Sequence, residues 1–356
     1  MACDADRVVR MSRPATCSRS APRSDRERAL LNGFQRGFPF VGEPFEILAQ
    51  RIGATTPEVI ASLQASTGSG AISRIGAVFA PGAIGSSTLA ALAVPSVQLA
   101  SVAAAVSRHP EVSHNYARAD HVNLWFVVSA ADLSSRAAVL AAIAEETGLA
   151  PLAMPLVEEY HIDLGFDLDE PNATLRHPAV RQPARITLTP VQSRLASRLQ
   201  QGLPIVVRPF AAIAADVGAT ETQVLDVLQA WTTEGVIRRF GIIVRHFELG
   251  FGANAMAVWD IEDDRVAAVG LQLAELPSVR LAYRRERVPG RWPFNLYAMI
   301  HAREQSALQS ELAAAKRIVG PYPSKLLATV ERYKQRAAQF ALQGGGEAWT
   351  KSTASS

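Results

Sequence analysis

The sequence predicts an α+β protein built from two consecutive copies of one unit, and three observations carry that prediction. The stretch from Gly37 to Val78 aligns without a gap to the stretch from Gly202 to Ile243, with roughly two positions in five identical, well above chance for unrelated segments. Further on, "PEVSHNYARADHVNLWF" (Pro110 to Phe126) pairs with "PSVRLAYRRERVPGRWPFNLYAM" (Pro277 to Met299), the second copy being about five residues longer. The order of helix and strand patterns is also the same in both copies.

At 356 residues the chain is long enough for more than one domain, and its 48% hydrophobic content supports real cores. Residues 1–28 are rich in Arg, Ser and Pro, show no amphipathic period and read as a disordered arm. Met11 is a second candidate start. Both cysteines, Cys3 and Cys17, fall in this arm, so the folded body offers neither a disulfide framework nor a thiolate metal site, which fits a reducing cytoplasm. The arm lacks the apolar core of a signal peptide, and no stretch gives about 18 uninterrupted apolar residues for a membrane span. A soluble cytoplasmic protein without membrane partners is expected.

Residues 29–82 carry the first unit's opening pattern. Pro44 starts the amphipathic "PFEILAQRIG", which ends at a glycine suited to a helix C-cap. "ATTPEVIASLQAS" follows, with a Thr placed as N-cap, and "GAISRIGAVF" implies a short strand pair that completes a winged helix-turn-helix. Residues 83–164 then alternate strand, helix, strand, strand, helix, strand, the ferredoxin-like βαββαβ pattern. A Pro-rich, charged linker spans 165–188. The second winged helix-turn-helix is expected over 189–247, the second ferredoxin-like domain over 248–335, and a Gly-rich flexible tail over 336–356.

A net charge of +3 with only 19% charged residues argues against a general nucleic-acid coat. The helix-turn-helix followed by a ferredoxin-like domain resembles the Lrp/AsnC family of transcriptional regulators, whose second helix enters the major groove. Such a helix needs cations for phosphates. Here no Lys or Arg occurs from Ile52 to Ser73 or from Ala211 to Ile237, while Glu58, Asp216, Glu221, Asp226 and Glu234 lie in those stretches. DNA is therefore not an expected partner, and the helix-turn-helix is expected to act as a packing and dimerisation scaffold.

No phosphate-binding loop, dinucleotide fingerprint, HExxH, CxxC or GxSxG stands in a convincing context. What remains is a pair of equivalent clusters on the ferredoxin-like halves. The first holds His114, Asn115, Tyr116, Arg118, His121, Asn123 and Trp125. The second holds Tyr283, Arg284, Arg285, Arg287, Arg291, Trp292, Asn295, Tyr297 and His301, with Arg245 and His246 nearby. Strand alternation places Asn295, Tyr297 and Met299 on one face, and groups Asn123 with Trp125. A single aromatic on a strand is ordinarily core, and His109, His161 and His177 carry no functional claim. The repetition of arginines, rings and an asparagine in both units is what points to a site. Arginine forks suit several carboxylates and flat rings suit a planar ligand, so a tetrapyrrole fits better than an amino acid.

The segments "HNYAR…NLWF", "RRFGIIVRHFELGFGANAMAVWD" and "YRRERVPGRWPFNLYAMIH" resemble the motifs of the siroheme decarboxylases, Lrp/AsnC-like enzymes of heme d1 and alternative heme biosynthesis. The resemblance runs from about Ala29 to Lys334 and suggests a form with two subunit types fused in one chain. It implies loss of carbon dioxide from the two acetates of siroheme, giving 12,18-didecarboxysiroheme. It implies no organic cofactor and no resident metal, the iron entering with the substrate. Arg245, Arg284, Arg285 and Arg118 would then hold carboxylates. His246 and His114 would donate protons or, less favourably, contact the iron. Tyr283, Trp292, Asn295 and Tyr297, with Asn123 and Trp125 in the first unit, would shape the pocket.

The first unit departs from the family's Arg-x-His-x-Tyr-Asn-Leu-Trp run: His121 is displaced by one and Val122 stands for the tyrosine. Ala80-Pro81 also stands where the second unit has Arg245-His246. Two unequal pockets, or pockets built from both units, are expected, in a homodimer or an intrachain pseudo-dimer. The alternatives are an effector-sensing transcriptional regulator and a heme-sensing protein without catalysis.

Overall fold

A computed structural model of the chain describes residues 24–162, 185–244, 253–302 and 304–340. The first unit runs α1 (Asp25–Gly33), α2 (Pro44–Ile52), α3 (Thr56–Gly68), β1 (Ile72–Phe79), β2 (Ser86–Leu92), α4 (Leu99–Arg108), β3 (Val112–Arg118), β4 (Leu124–Ala130), α5 (Leu133–Thr147) and β5 (Leu152–Ile162). The second repeats it with α6 (Pro190–Gln201), α7 (Pro209–Val217), α8 (Glu221–Thr233), β6 (Ile237–Val244), β7 (Ala253–Trp259), α9 (Val266–Leu273), β8 (Val279–Arg285), β9 (Leu296–Ala302), α10 (Gln305–Val319) and β10 (Ser324–Gln335).

The helix boundaries follow local chemistry. Helices α2 and α7 each start on a proline and end on a left-handed glycine, Gly53 and Gly218. At α8, Thr220 and Gln223 exchange reciprocal capping bonds of 3.2 and 2.9 Å. The expected arm of 1–28 is too long by one helical turn. Ser24 caps α1 by accepting from the Glu27 N–H, and Leu30 and Leu31 of that helix are buried.

The expected wing is also different. No strand pair forms inside either helix-turn-helix among the described residues. Instead β1 pairs antiparallel with β6, so each copy supplies one strand of a sheet shared between the units. Gly76 and Gly241 face each other there. A side chain at Gly241 would run into the backbone carbonyls of Phe34 and Gln35, and one at Gly76 would lie 3.0 Å from the Leu199 carbonyl. Bare backbone lets α1 lie against β6, and α6 against β1. One continuous apolar core covers both helix-turn-helix modules as a result.

The remaining eight strands close into a barrel in the order β10-β3-β4-β2-β5-β8-β9-β7. Closure depends on the two long last strands. The first part of β5 pairs with β2 and the rest crosses to β8, while β10 pairs first with β7 and then with β3. The pseudo-dimer is therefore made within the chain. Helices α4 and α5 cover the outside of one half, α9 and α10 the other, and the barrel interior is a third core that includes Trp125, Trp292, Tyr283 and Tyr297. The expected flexible tail begins later than 336: the Arg336 N–H donates to Ser113 O at 2.9 Å, and Phe340 N donates to Gln200 Oε1 at 2.7 Å.

Candidate active site

Register sorts the candidate side chains into two sets. On β3 and β4, Tyr116 stands opposite Trp125; on β8 and β9, Tyr283 stands opposite Tyr297. All four project into the barrel because alternate residues of a strand share a face. Tyr283 and Tyr297 stack with centroids 5.9 Å apart. Trp292 donates from Nε1 to the Tyr297 hydroxyl at 2.8 Å and meets Trp125 edge-on at 5.1 Å. Trp125, Tyr283, Trp292 and Tyr297 are buried, and Tyr116 is half-buried.

Arg118 and Arg285 occupy equivalent places at the ends of β3 and β8. Each reaches across a seam into the other unit. Arg118 Nη1 donates to Leu327 O at 2.9 Å and to Thr329 Oγ1 at 3.0 Å, and Arg285 Nη1 donates to Met154 O at 2.9 Å. Each guanidinium also lies near the tyrosine two residues earlier, 5.5 Å from the Tyr116 ring and 4.5 Å from the Tyr283 ring. Their Nε atoms are buried without a hydrogen-bond partner, and neither group faces a carboxylate among the described residues. Burial lowers the Arg118 pKa, with Tyr116 and Tyr283 acting in the opposite sense.

Other expected site residues lie elsewhere. Arg284 follows Tyr283 and so points to the helix side, where it pairs with Asp263 at 2.9 Å. This removes it from the interior. Arg287 is held by Asp260 and Asp263, and Arg291 donates to Ala150 O at 3.1 Å, so both brace the loop before β9. Asn123 and Asn295 are clasps rather than pocket walls. The Asn295 amide bonds both backbone groups of Ile261 at 3.0 and 2.9 Å. Asn123 does the same to Val94 at 2.9 and 2.8 Å. Repetition in both units here marks a shared fold element.

His114 faces the interior, opposite Val127. Its Nδ1 lies 3.0 Å from Ser113 Oγ, and its ring stacks near Tyr116. Burial pushes its pKa down to about 4, so it is a neutral ring at neutral pH and a poor source of a proton in the imidazolium form. Arg245 and His246 lie outside the described residues. His301, two residues beyond Met299 on β9, stands opposite Asn254, and Asn254 accepts from the Thr329 hydroxyl at 3.4 Å, beside Arg118. The alternation that selected Tyr297 and Met299 reaches His301 at its next step. No sequence signal ties that position to Thr329.

The two halves also differ in charge. Glu159 stands opposite Tyr283 and is paired with Arg238 of the shared sheet, whereas the equivalent strand position, opposite Tyr116, is Arg332. Burial raises the Glu159 pKa against the opposing effect of Arg238. Among the described residues, no group of three or more His, Cys, Asp or Glu converges as a metal-ligand set, and no helix is long and apolar enough to cross a membrane.

The chain matches the family model described as "Siroheme decarboxylase NirDL-like HTH domain" over residues 27–72 and 192–238, and that described as "AsnC-like ligand binding domain" over 83–161 and 248–334. It is 39% identical over 320 residues to the siroheme decarboxylase NirDL subunit of Paracoccus denitrificans, covering 89% of this chain and 98% of the relative. It is 43% identical over 145 residues to the siroheme decarboxylase NirD subunit of Stutzerimonas stutzeri, 41% of this chain and 95% of that one. Among solved structures it resembles the siroheme decarboxylase NirDL in co-complex with an iron-uroporphyrin III analogue, with TM-score 0.67 and 25% identity over 90% of this chain and 96% of the other.

Proposed function

This chain belongs to the siroheme decarboxylases, and from that membership we propose that it converts siroheme to 12,18-didecarboxysiroheme as a carboxy-lyase of heme d1 biosynthesis. The observation that carries the reading is the pair Arg118, which is buried, and Arg285, which is half-buried, two guanidiniums that face no carboxylate of their own among the described residues. A buried cation without a counter-charge is costly, and a substrate carboxylate supplies what is missing.

The chemistry asks little else of the protein. Breaking the bond between an acetate methylene and its carboxylate releases carbon dioxide and leaves the electron pair on the methylene, where the conjugated macrocycle spreads it. A proton then completes a methyl group, and the step occurs twice. Arg118 and Arg285 orient carboxylates, and Tyr283 and Tyr297 present flat faces to a planar ligand. His246 and Arg245, in the segment that enters β7, are the proposed proton donor and a further carboxylate ligand. His114 acts as a neutral ring. Iron arrives with the substrate and no organic cofactor is required. The cation-poor α3 and α8 support a scaffold role without DNA, and the cysteine-free folded body supports work in the cytoplasm.

Anaerobic incubation of the purified chain with siroheme, followed by mass spectrometry of the tetrapyrrole, tests this. Two losses of carbon dioxide are expected. Unchanged siroheme under reducing, oxygen-free conditions refutes it.

A further inference from the structure

One ion pair joins the shared sheet to the barrel interior, and only half of it is used. Glu159 on β5 stands opposite Tyr283, so its side chain shares the inward face of that strand pair. Its Oε1 accepts from Nη1 of Arg238 on β6. Glu159 Oε2 is buried with no hydrogen-bond partner, and so are Nε and Nη2 of Arg238. The two side chains are 8% and 16% exposed. A buried polar network left partly satisfied weighs against the fold, and a ligand that completes it relieves that cost.

The arrangement specifies the ligand. Nε and Nη2 lie along one edge of the guanidinium, two parallel donors in a plane, which suits a planar oxyanion held through two oxygens. Glu159 takes Nη1 and leaves this edge unused. Beside it, an ionised Oε2 can only accept. The matching ligand therefore offers two acceptor oxygens and one hydroxyl, as bicarbonate does. Charge agrees with this. Arg285 lies 4.5 Å from the Tyr283 ring and faces no carboxylate among the described residues. Arg238 and Arg285 against Glu159 thus leave one positive charge for an anion to balance. The site occurs once in the chain, because the repeat puts Ser73 in the place of Arg238 and Arg332 in the place of Glu159.

We propose that the Arg238 fork and Glu159 Oε2 form a bicarbonate site through which the hydrated product of decarboxylation slows further turnover. The assignment rests on the siroheme reading above and adds a product-responsive site to it. Each carbon dioxide released reacts with water, off the protein, to give bicarbonate and a proton. The two oxygens that share the bicarbonate charge accept from Nε and Nη2, and its hydroxyl donates to Oε2. Bound there, the anion offsets the positive charge that Arg285 offers an incoming substrate carboxylate.

The test is calorimetric titration of the full chain with sodium bicarbonate in a closed cell at constant pH and ionic strength, with acetate, nitrate and phosphate as comparison anions. Saturable binding of one bicarbonate per chain is expected, tighter than that of the other three. Arg238→Gln should weaken it about tenfold or more. Glu159→Gln, which sets an amide donor where Oε2 accepts, should weaken bicarbonate and strengthen nitrate, a reversal that a merely structural pair would not give. Circular dichroism checks folding, and Arg238→Lys, which keeps a cation for Glu159 and loses the fork, reads the site even if Arg238→Gln does not fold. No saturable bicarbonate binding, equal binding of all four anions, or binding unchanged in the Arg238 variants overturns the assignment. A comparable loss of iron-uroporphyrin binding in Arg238→Lys also overturns it, since the fork then holds a substrate carboxylate. Decarboxylation that added bicarbonate leaves at full rate overturns the product-responsive role. The siroheme reading is judged apart, in bicarbonate-free buffer: carbon dioxide loss without bicarbonate binding removes only this site, and bicarbonate binding with unchanged siroheme removes only that reading.

Discussion

Asn295 shows how a side chain that looks like a ligand contact in sequence becomes a structural clasp once its neighbours are known. It is 1% exposed and spends its amide on both backbone groups of Ile261, itself 1% exposed. Asn295→Ala strands the buried Ile261 N–H, while the Ile261 carbonyl keeps Arg287 as a donor, so a loss of about 1–3 kcal/mol in denaturant unfolding is expected. A variant as stable as the parent would show that the clasp is dispensable. His114 yields a second prediction. Its folded pKa of about 4 lies below the ordinary value of 6.5, so between these values the unfolded chain binds a proton that the folded chain does not. Its contribution to stability is complete above about pH 6.5 and is lost as pH falls toward 4, with a slope of at most about 1.4 kcal/mol per pH unit. His114→Gln should flatten that part of the stability profile. Arg284 and Arg285 show the limit of sequence at this scale. They are chemically identical and adjacent, and only the pairing of Tyr283 with Tyr297 decides which enters the barrel.

At the level of elements, helices and strands were legible because period, caps and duplication agreed. Pro44 and Gly53, or Thr220 and Gln223, declare their roles within a few residues. Partnership between elements is a different matter. Nothing in "GAISRIGAVF" or "GVIRRFGIIV" says whether a strand folds back within its own copy or meets its twin, since both arrangements bury the same alternate residues. The glycines hold the answer in retrospect. Gly241→Ala should cost about 1–3 kcal/mol, because the obstructing atoms are the backbone of Phe34 and Gln35 and have nowhere to turn. Gly76→Ala, with one contact at 3.0 Å, should cost less. Thermal unfolding of the two variants checks the order. Equal melting temperatures would mean that α1 and α6 adjust alike. The same limit hid the neighbours of Arg118: Thr329 and Asn254 are 75 positions apart, and Arg118 reaches Thr329 only across the β10–β3 seam.

For the whole molecule, duplication predicted two homologous halves but not their interdependence. Each half alone would leave one edge of β3 and the far part of β5, or one edge of β8 and the far part of β10, without a hydrogen-bonding neighbour. Halves produced from separate genes, cut within residues 165–184, should therefore copurify as a one-to-one complex. Either half alone should self-associate or aggregate on a sizing column. A stable monomeric half would contradict this. The separate NirD subunit of Stutzerimonas stutzeri, similar to this chain over 145 residues, shows that a protein of this kind exists in the size of one half.

The crossing last strands also set a timetable for synthesis. When β5 leaves the ribosome, its second part has no partner, because Leu156 must wait for Arg285 and Ile162 for Leu281. The nascent chain carries an open edge through the making of α6, α7, α8 and β7. The final seam, His114 with Gln335, can form only after β10 itself has been made. Such an interval is when an unfinished chain is most exposed to pairing with a neighbour on the same message.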